Sequence, residues 1–308
     1  MKNAIGCTGI GLHTGTKVSM MIRPAAPDSG IRFKRTDISG GQAVITGDWR
    51  NVVESKLCST IANADGIEVK TIEHLMAALA GLEIDNALIE VNGPEIPIMD
   101  GSAAPFVFLI ECAGIEEQDA KRHAVKVLKP VTVTDESSEA ALLPSDSFSV
   151  TFSIEFESPL IACQDHFVEF VNGTFKREIA NARTFGLEHE VAALRAGGLL
   201  LGGSLDNAVV VSGDRVLNDS GLRYGDEFVR HKILDSVGDL YLAGAPILGH
   251  FKGSRSGHAM NHRLLATLFA DPKAWAMVPM RREPAGDFDL DAPIVEPTAR
   301  VSAGAIRR

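Results

Sequence analysis

The sequence has no two cysteines at the spacing of a disulfide framework or a thiolate zinc site. Cys7, Cys58, Cys112 and Cys163 are scattered singly, which suits reduced thiols in a cytoplasmic protein. The first residues, MKNAIGCTGIGLHTG, contain no continuous apolar segment, so no secretory signal is expected. No stretch approaches the roughly 18–20 apolar residues of a membrane span, and no stable membrane insertion is expected. Basic residues are in deficit: 30 Lys and Arg against 40 Asp and Glu give a net charge of −10. That balance excludes a general nucleic-acid binder, which needs a basic face. An anionic small molecule stays open to it only where Lys or Arg gather locally. What the chain does have is a globular composition, 45% hydrophobic and 23% charged. At 308 residues it has room for two domains with substantial cores.

The most informative stretch is Arg230-His231-Lys232-Ile233-Leu234-Asp235-Ser236-Val237-Gly238-Asp239, which reads as helix over residues 226–243. His231 and Asp235 are four residues apart, so about 100° per residue brings them onto one face, within reach of one divalent cation. Asp239 extends the same stripe, and Ile233, Leu234 and Val237 pack beside it. By spacing alone a solvated polar face is the simpler reading. Two other stretches shift the weight.

The first is residues 68–81, where Ile72, Leu75, Met76 and Leu79 recur at helical spacing and Gly81 is a natural stop. Inside it Glu73 precedes His74. Adjacent helical residues do not share a face, so one can bind a metal while the other reaches a water beside it. The second is Arg255-Ser256-Gly257-His258, which opens the last helix. Around these lie strands with a period of two: residues 17–23, 31–35, 87–91 and, most regularly, 148–156. Residues 94–102 form a rigid loop before a helix that ends at Gly114. His13, between flexible glycines, is a loop histidine. His123, His166, His189, His250 and His262 have no spacing partner and are taken as surface or core residues.

The charged run 116–122 lacks apolar period and marks a boundary, giving an N-terminal α+β domain at 1–117 and a C-terminal one at 123–280. Residues 281–308 form a poorly packed tail. The two halves echo each other: Glu73-His74-Leu75-Met76-Ala77-Ala78-Leu79-Ala80-Gly81 aligns without gaps on Arg230-His231-Lys232-Ile233-Leu234-Asp235-Ser236-Val237-Gly238. A duplicated α+β unit would set the two helices face to face and bring His74 near His231 and Asp235.

Five motifs, in order, carry a family resemblance: Thr71-Ile72-Glu73-His74-Leu75, Gly81-Leu82-Glu83-Ile84-Asp85-Asn86, Arg183-Thr184-Phe185-Gly186, Arg230-His231-Lys232-Ile233-Leu234-Asp235 and Ser256-Gly257-His258-Ala259. Together they resemble the UDP-3-O-acyl-N-acetylglucosamine deacetylases, the zinc amidases that commit sugar nucleotide to lipid A. The resemblance runs from Gly9 to about Leu268. It implies two similar α+β domains, each a sheet with a helix pair, packed as a sandwich with the helices between the sheets. It implies one zinc ion per chain on His74, His231 and Asp235, with ferrous iron as an alternative in the cell. Glu73 would be the general base, and Thr184 would help stabilise the tetrahedral oxyanion. His258, held by Asp239, would stabilise the oxyanion and protonate the leaving amine. Lys232 would face the anionic acylated UDP-sugar, with Phe185 packed against it, in a monomeric cytoplasmic enzyme.

The segment 187–211 is rich in apolar residues and glycine. Its simplest reading is an ordinary core insertion with glycine caps. The resemblance implies instead a β-α-β insert forming a passage for the acyl chain, with Leu199 and Leu200 on its wall. One departure stands out: Leu200 occupies a place where the family pattern has a Cys, a side chain with no step assigned to it. Two other functions compete. Two His and a carboxylate also bind non-haem iron in oxygenases, but those have no use for a Glu beside a ligand, and oxygen consumption separates them. A non-catalytic sugar-nucleotide binder would have no reason to keep Glu73.

Overall fold

Alternation of apolar and polar side chains builds the first sheet from β1 (Ile5–Ile10), β2 (Lys17–Pro24), β3 (Ile31–Arg35) and β4 (Val44–Thr46). In β2 the alternate residues Val18, Met20 and Ile22 are buried, as the period of two requires. In the computed structural model, residues 1–39, 43–53, 57–171 and 173–280 are described; the expected tail at 281–308 lies outside them. Three short strands, β5 (Val52–Val53), β6 (Thr60–Ala62) and β7 (Glu68–Lys70), form a separate small sheet. They lead into α1 (Glu73–Gly81), then β8 (Ala87–Val91) and α2 (Ala104–Ala113). Helical periodicity extended back to residue 68 is therefore a misreading: residues 68–70 pair with β6, and the helix begins at Glu73.

The second half opens with β9 (His123–Val127), β10 (Val131–Asp135), β11 (Ser138–Leu143), β12 (Phe148–Glu155) and β13 (Cys163–Glu169). Next come β14 (Phe185–Leu187), α3 (Glu188–Ala196), β15 (Val209–Ser212) and β16 (Arg215–Val216). The chain finishes with α4 (Glu227–Leu240), β17 (Ile247–Ser254), α5 (His258–Ala270) and β18 (Trp275–Pro279).

The first sheet runs β1-β2-β8-β3-β4 and the main path of the second runs β10-β11-β17-β12-β13, with β9 and β18 added at its side. In both, the central strand follows a site helix. That strand is antiparallel to one neighbour (β2 or β11) and parallel to the other (β3 or β12). The duplicated α+β unit inferred from the sequence is thus present as a repeated topology.

α1 and α4 pack against each other, and α4 also touches β12 and β13. Their close approach depends on Gly238, where an added Cβ would lie 2.0 Å from the Glu73 carbonyl oxygen. Only a residue without a side chain lets the backbones meet there. Apolar residues of both helices and both sheets, among them Ile22, Ile89, Leu75, Ile233, Phe152 and Phe251, belong to one continuous buried cluster. The polar residues of α1 and α4 enter that apolar surrounding, which decides their chemistry.

Candidate active site

The facing helices bring together side chains 157 positions apart: the rings of His74 and His231 lie edge to face with centroids 5.0 Å apart. Asp235, one turn beyond His231, places Oδ1 3.3 Å from His231 Nε2 and 3.6 Å from His74 Nε2. All three residues are buried, and their donor atoms lie within 4.8 Å of one another.

The donor set fits a metal on three counts. A tetrahedral ion with bonds of about 2.0–2.2 Å sets its donors roughly 3.4 Å apart, close to the spacings found. Asp235 Oδ1 is buried and has no hydrogen-bond partner among the described residues, an expensive state for a carboxylate oxygen unless a cation meets it. His231 is held in the right tautomer: its Nδ1 donates to the Ala182 carbonyl at 3.1 Å, leaving the Nε2 lone pair toward Asp235. Burial, partly opposed by Asp235, pushes the His231 imidazolium down to about 4, so the ring is neutral, as a ligand must be. Burial raises the Asp235 carboxyl, but the charges of His231 and Lys232 outweigh it and hold the group well below the usual carboxylate range. Lys232 Nζ makes this contact at 3.1 Å from Asp235 Oδ2.

Glu73 stands beside this cluster and outside the donor set. Its Oε2 accepts from the Ser59 amide at 3.0 Å, and its Oε1 lies 3.9 Å from His258 Nε2. Burial pushes its carboxyl up to about 7, against the opposing charge of His258. His258 caps the other side, with Nε2 4.0 Å from Asp235 Oδ2 and Nδ1 2.9 Å from Asp239 Oδ2. Burial disfavours its charged form, but Asp239, both as a charge and as a hydrogen-bond acceptor, overrides that and raises the imidazolium to about 10. Asp239 is itself fully buried and, against the cost of burial, held down to about 2 by His258 and His262. Two buried carboxylates thus have opposite tendencies, set by their neighbours. The site can hold a divalent cation between a proton acceptor and a proton donor, which is the equipment for hydrolysing an amide.

A family model described as UDP-3-O-acyl N-acetylglycosamine deacetylase matches residues 1–270 of this chain. The chain belongs to that family. It is 52% identical over 280 residues to a UDP-3-O-acyl-N-acetylglucosamine deacetylase of Acidithiobacillus ferrooxidans, covering 90% of this chain and 91% of the relative. Deacetylases of that name from Methylococcus capsulatus (48% over 285 residues, 92% of this chain and 93% of the relative) and Shewanella pealeana (47% over 308 residues, 99% and 97%) are similar over the same expanse.

In this member of the deacetylase family the Thr184 segment is tied to the metal centre through its backbone. Arg183 donates to Glu227 from its amide and guanidinium at 2.8–3.1 Å, and the preceding residue, Ala182, accepts from His231. Thr184 is half-buried and bridges Gly101 and Val209 by backbone hydrogen bonds of 2.8 and 2.7 Å. Phe185 packs edge-on against His231, with centroids 6.3 Å apart, and against Phe228 at 5.0 Å. Here β14 and β15 pair in parallel, with α3 between them in the chain. Leu199 and Leu200 are half-buried, and Leu201 is 54% exposed.

Four site residues escape sequence reasoning. Ser59 Oγ donates to Asp239 Oδ1 at 2.5 Å and lies 2.8 Å from His262 Nε2, while Asn261 Nδ2 donates to Asp239 Oδ2 at 2.8 Å. His262, taken as having no spacing partner, is four residues after His258 on the same helix face. That spacing, with Asn261 at the third position, is the signal that finds both. Ser59, 180 residues from Asp239, has none. His13 is in a loop as expected, yet it is buried, near enough to Glu73 and His258 to feel their charge. Neither of its ring nitrogens has a hydrogen-bond partner among the described residues.

Proposed function

We propose that the chain hydrolyses the acetamide of a UDP-3-O-acyl-N-acetylglucosamine, giving acetate and UDP-3-O-acyl-glucosamine, the committed step of lipid A biosynthesis. The observation that carries this reading is the buried His74–His231–Asp235 donor set flanked by Glu73 and His258, in a member of the deacetylase family. His74, His231 and Asp235 hold one zinc ion, a donor set that ferrous iron also accepts. When bound, the ion supplies Lewis acidity, acidifying a water and polarising the acetamide carbonyl.

Glu73 takes the proton of the attacking water, whose oxygen bonds to the carbonyl carbon. Thr184 donates to the oxyanion that forms, in a site dry enough for such a bond to count. His258, oriented by Asp239, steadies the same charge and gives its proton to the amine as the C–N bond breaks. Lys232 faces the anionic sugar nucleotide and Phe185 packs against it. The apolar insert at 187–211 takes the acyl chain, with Leu199 and Leu200 on its wall. The unit is a monomer of two domains, 1–117 and 123–280, with the helices between the two sheets. It works in the cytoplasm without nucleic acid or membrane insertion; among the described residues no helix is long and apolar enough to cross a membrane.

The test is release of acetate from UDP-3-O-acyl-N-acetylglucosamine before and after chelation. Activity is expected to vanish with the metal and to return with one equivalent of zinc. Full activity in a rigorously metal-free preparation sinks the reading. For the acyl passage, each methylene buried is worth about 0.8 kcal/mol. Leu200→Glu should therefore weaken turnover of acylated substrate by orders of magnitude and spare the unacylated sugar nucleotide. Equal losses for both place the chain elsewhere.

A further inference from the structure

Glu95 is a carboxylate buried completely, in the loop after β8 and remote in sequence from every site residue. Four uncharged donors converge on it. The His13 amide reaches Oε1 at 2.8 Å, and the Thr14 amide and hydroxyl reach Oε2 at 2.9 and 2.7 Å. From the other side the Thr71 hydroxyl reaches Oε1 at 2.9 Å. Thr71 stands two residues before Glu73 in a left-handed conformation, φ 57°, so its hydroxyl direction is set by a backbone that few non-glycine residues adopt. Gly11 completes the seat: a Cβ there would fall 2.4 Å from Glu95 Oε2.

The loop gathered by this carboxylate lies close enough to the site for His13 to feel the charges of Glu73 and His258. It carries His13, whose two buried ring nitrogens have no hydrogen-bond partner among the described residues and which also feels the charge of Glu95. It also anchors the insert: Leu201 N donates to the His13 carbonyl at 3.2 Å and Gly202 N to the Leu12 carbonyl at 3.0 Å. The segment around Glu95 is meanwhile held independently of that side chain, by Lys70 N to Pro94 O, Ile96 N to Lys70 O and Ile98 N to Ile10 O at 2.9–3.0 Å and by the buried Ile96 and Ile98. The path of its own segment thus has supports besides the carboxylate, whereas three of the four donors to that carboxylate come from the His13–Thr14 turn.

We propose that Glu95 is a positioning residue that registers the 11–15 loop, and with it the edge of the acyl insert, against the head of α1 where Glu73 and His74 begin. Without its two acceptors the loop leaves its place for part of the time. Apparent substrate affinity then falls by the fraction of molecules in which the loop is in place. The step itself proceeds unchanged in molecules where it is. The inference rests on the roles assigned above to Glu73 and His74.

The experiment uses the full-length, metal-loaded enzyme with Glu95→Gln, which keeps one acceptor and the side-chain volume, and Thr14→Val, which removes one donor. Glu95→Gln should raise KM for the acylated substrate about tenfold or more, with kcat within about threefold of wild type and one metal per chain retained. Thr14→Val should move KM the same way by less. Hydrogen exchange of the His13 and Thr14 amides should speed up in Glu95→Gln while that of α1 does not. A fall in kcat with unchanged KM, loss of metal, or unchanged kinetics per folded molecule would each overturn the proposal. Glu73→Ala is the control for the underlying reading: full activity in that variant refutes the role of α1 whatever Glu95 does.

Discussion

The strand orders β1-β2-β8-β3-β4 and β10-β11-β17-β12-β13 are one topology used twice, yet the two halves place different chemistry on it. Superposing α1 on α4 by sequence pairs His74 with His231, Glu73 with Arg230, Ala78 with Asp235 and Leu82 with Asp239. Of these only the histidine is common to both copies, and it is the pair that meets ring to ring across the helix interface. Here a position related by the repeat faces its own counterpart, so one imidazole repeated gives two candidate ligands. Asp235 and Asp239 belong to α4 and have no acidic counterpart in α1, whose own carboxylate, Glu73, aligns with Arg230. In α1 the equivalent face is given to packing, with Ala77, Ala78 and Leu79 fully buried. The difference teaches that the repeat supplies the scaffold and two of the three donors, His74 and His231, while divergence of one copy supplies Asp235.

The largest expected effect tests the symmetric part. His74→Ala and His231→Ala should each reduce bound metal far below one per chain, and each should drop acetate release to that of the chelated enzyme. Metal analysis after gel filtration reads this directly. Retention of metal at wild-type affinity by either variant would show that the repeated histidines are not equivalent.

The next tests the divergent part at a single aligned position. Glu73→Ala should keep its metal and fold but lose turnover by about 10²–10⁴, the range of general-base catalysis. Its counterpart Arg230 is committed to structure: Nε donates to Asp226 at 2.6 Å, Nη1 to the Glu178 carbonyl at 2.9 Å, and the guanidinium lies over Tyr224. Arg230→Ala should cost roughly 1 kcal/mol of stability and leave metal content unchanged. If Glu73→Ala loses metal as readily as His231→Ala, Glu73 is a ligand and the contrast collapses.

Much of this was legible in the sequence because it is local. The four-residue spacing of His231 and Asp235, the neighbouring Glu73 and His74, and the alternation in β2 and β12 each follow from the geometry of one element. Even the pairing of His74 with His231 came through, since a gapless internal alignment encodes a long-range contact. What escaped depends on contacts with no local pattern. Ser59 reaches Asp239, and Glu95 reaches Thr14 and Thr71, only after the chain has folded. Residues 68–70 misled because a short strand entering a helix shares its apolar positions with the helical repeat. His262 is the opposite case: its four-residue spacing from His258 is a local pattern on α5, so reading it as without a spacing partner is an error the sequence itself corrects.

The smallest effects concern what precedes the two site helices, where the copies differ again. Glu227, at the first turn of α4, aligns with Lys70, just before α1. Glu227 is fully buried and receives Arg183 Nε at 2.8 Å, with the Arg183 side chain only 6% exposed. Lys70 pairs with Glu68 at 3.2 Å in the open, the two side chains 40% and 42% exposed. Burial raises the Glu227 carboxyl, but hydrogen bonds from Arg183 and the Arg223 amide outweigh it, so the folded-state value lies below the ordinary one. A depressed carboxylate contributes stability that is fully present above the unfolded value, about 4.3. That contribution is lost as pH falls through the folded value. Breaking such a pair strands a buried guanidinium and costs about 3–5 kcal/mol. Glu227→Gln should therefore unfold much more readily in urea than wild type at pH 7, with the gap beginning to narrow below about pH 4.3, where the unfolded carboxyl takes up its proton first, and closing as pH falls through the lower folded value. Glu68→Gln should shift stability by less than about 0.5 kcal/mol across the same range. A gap for Glu227→Gln that stays constant as pH falls from 7 through the folded value of the carboxyl would show that it acts there by shape and not by charge.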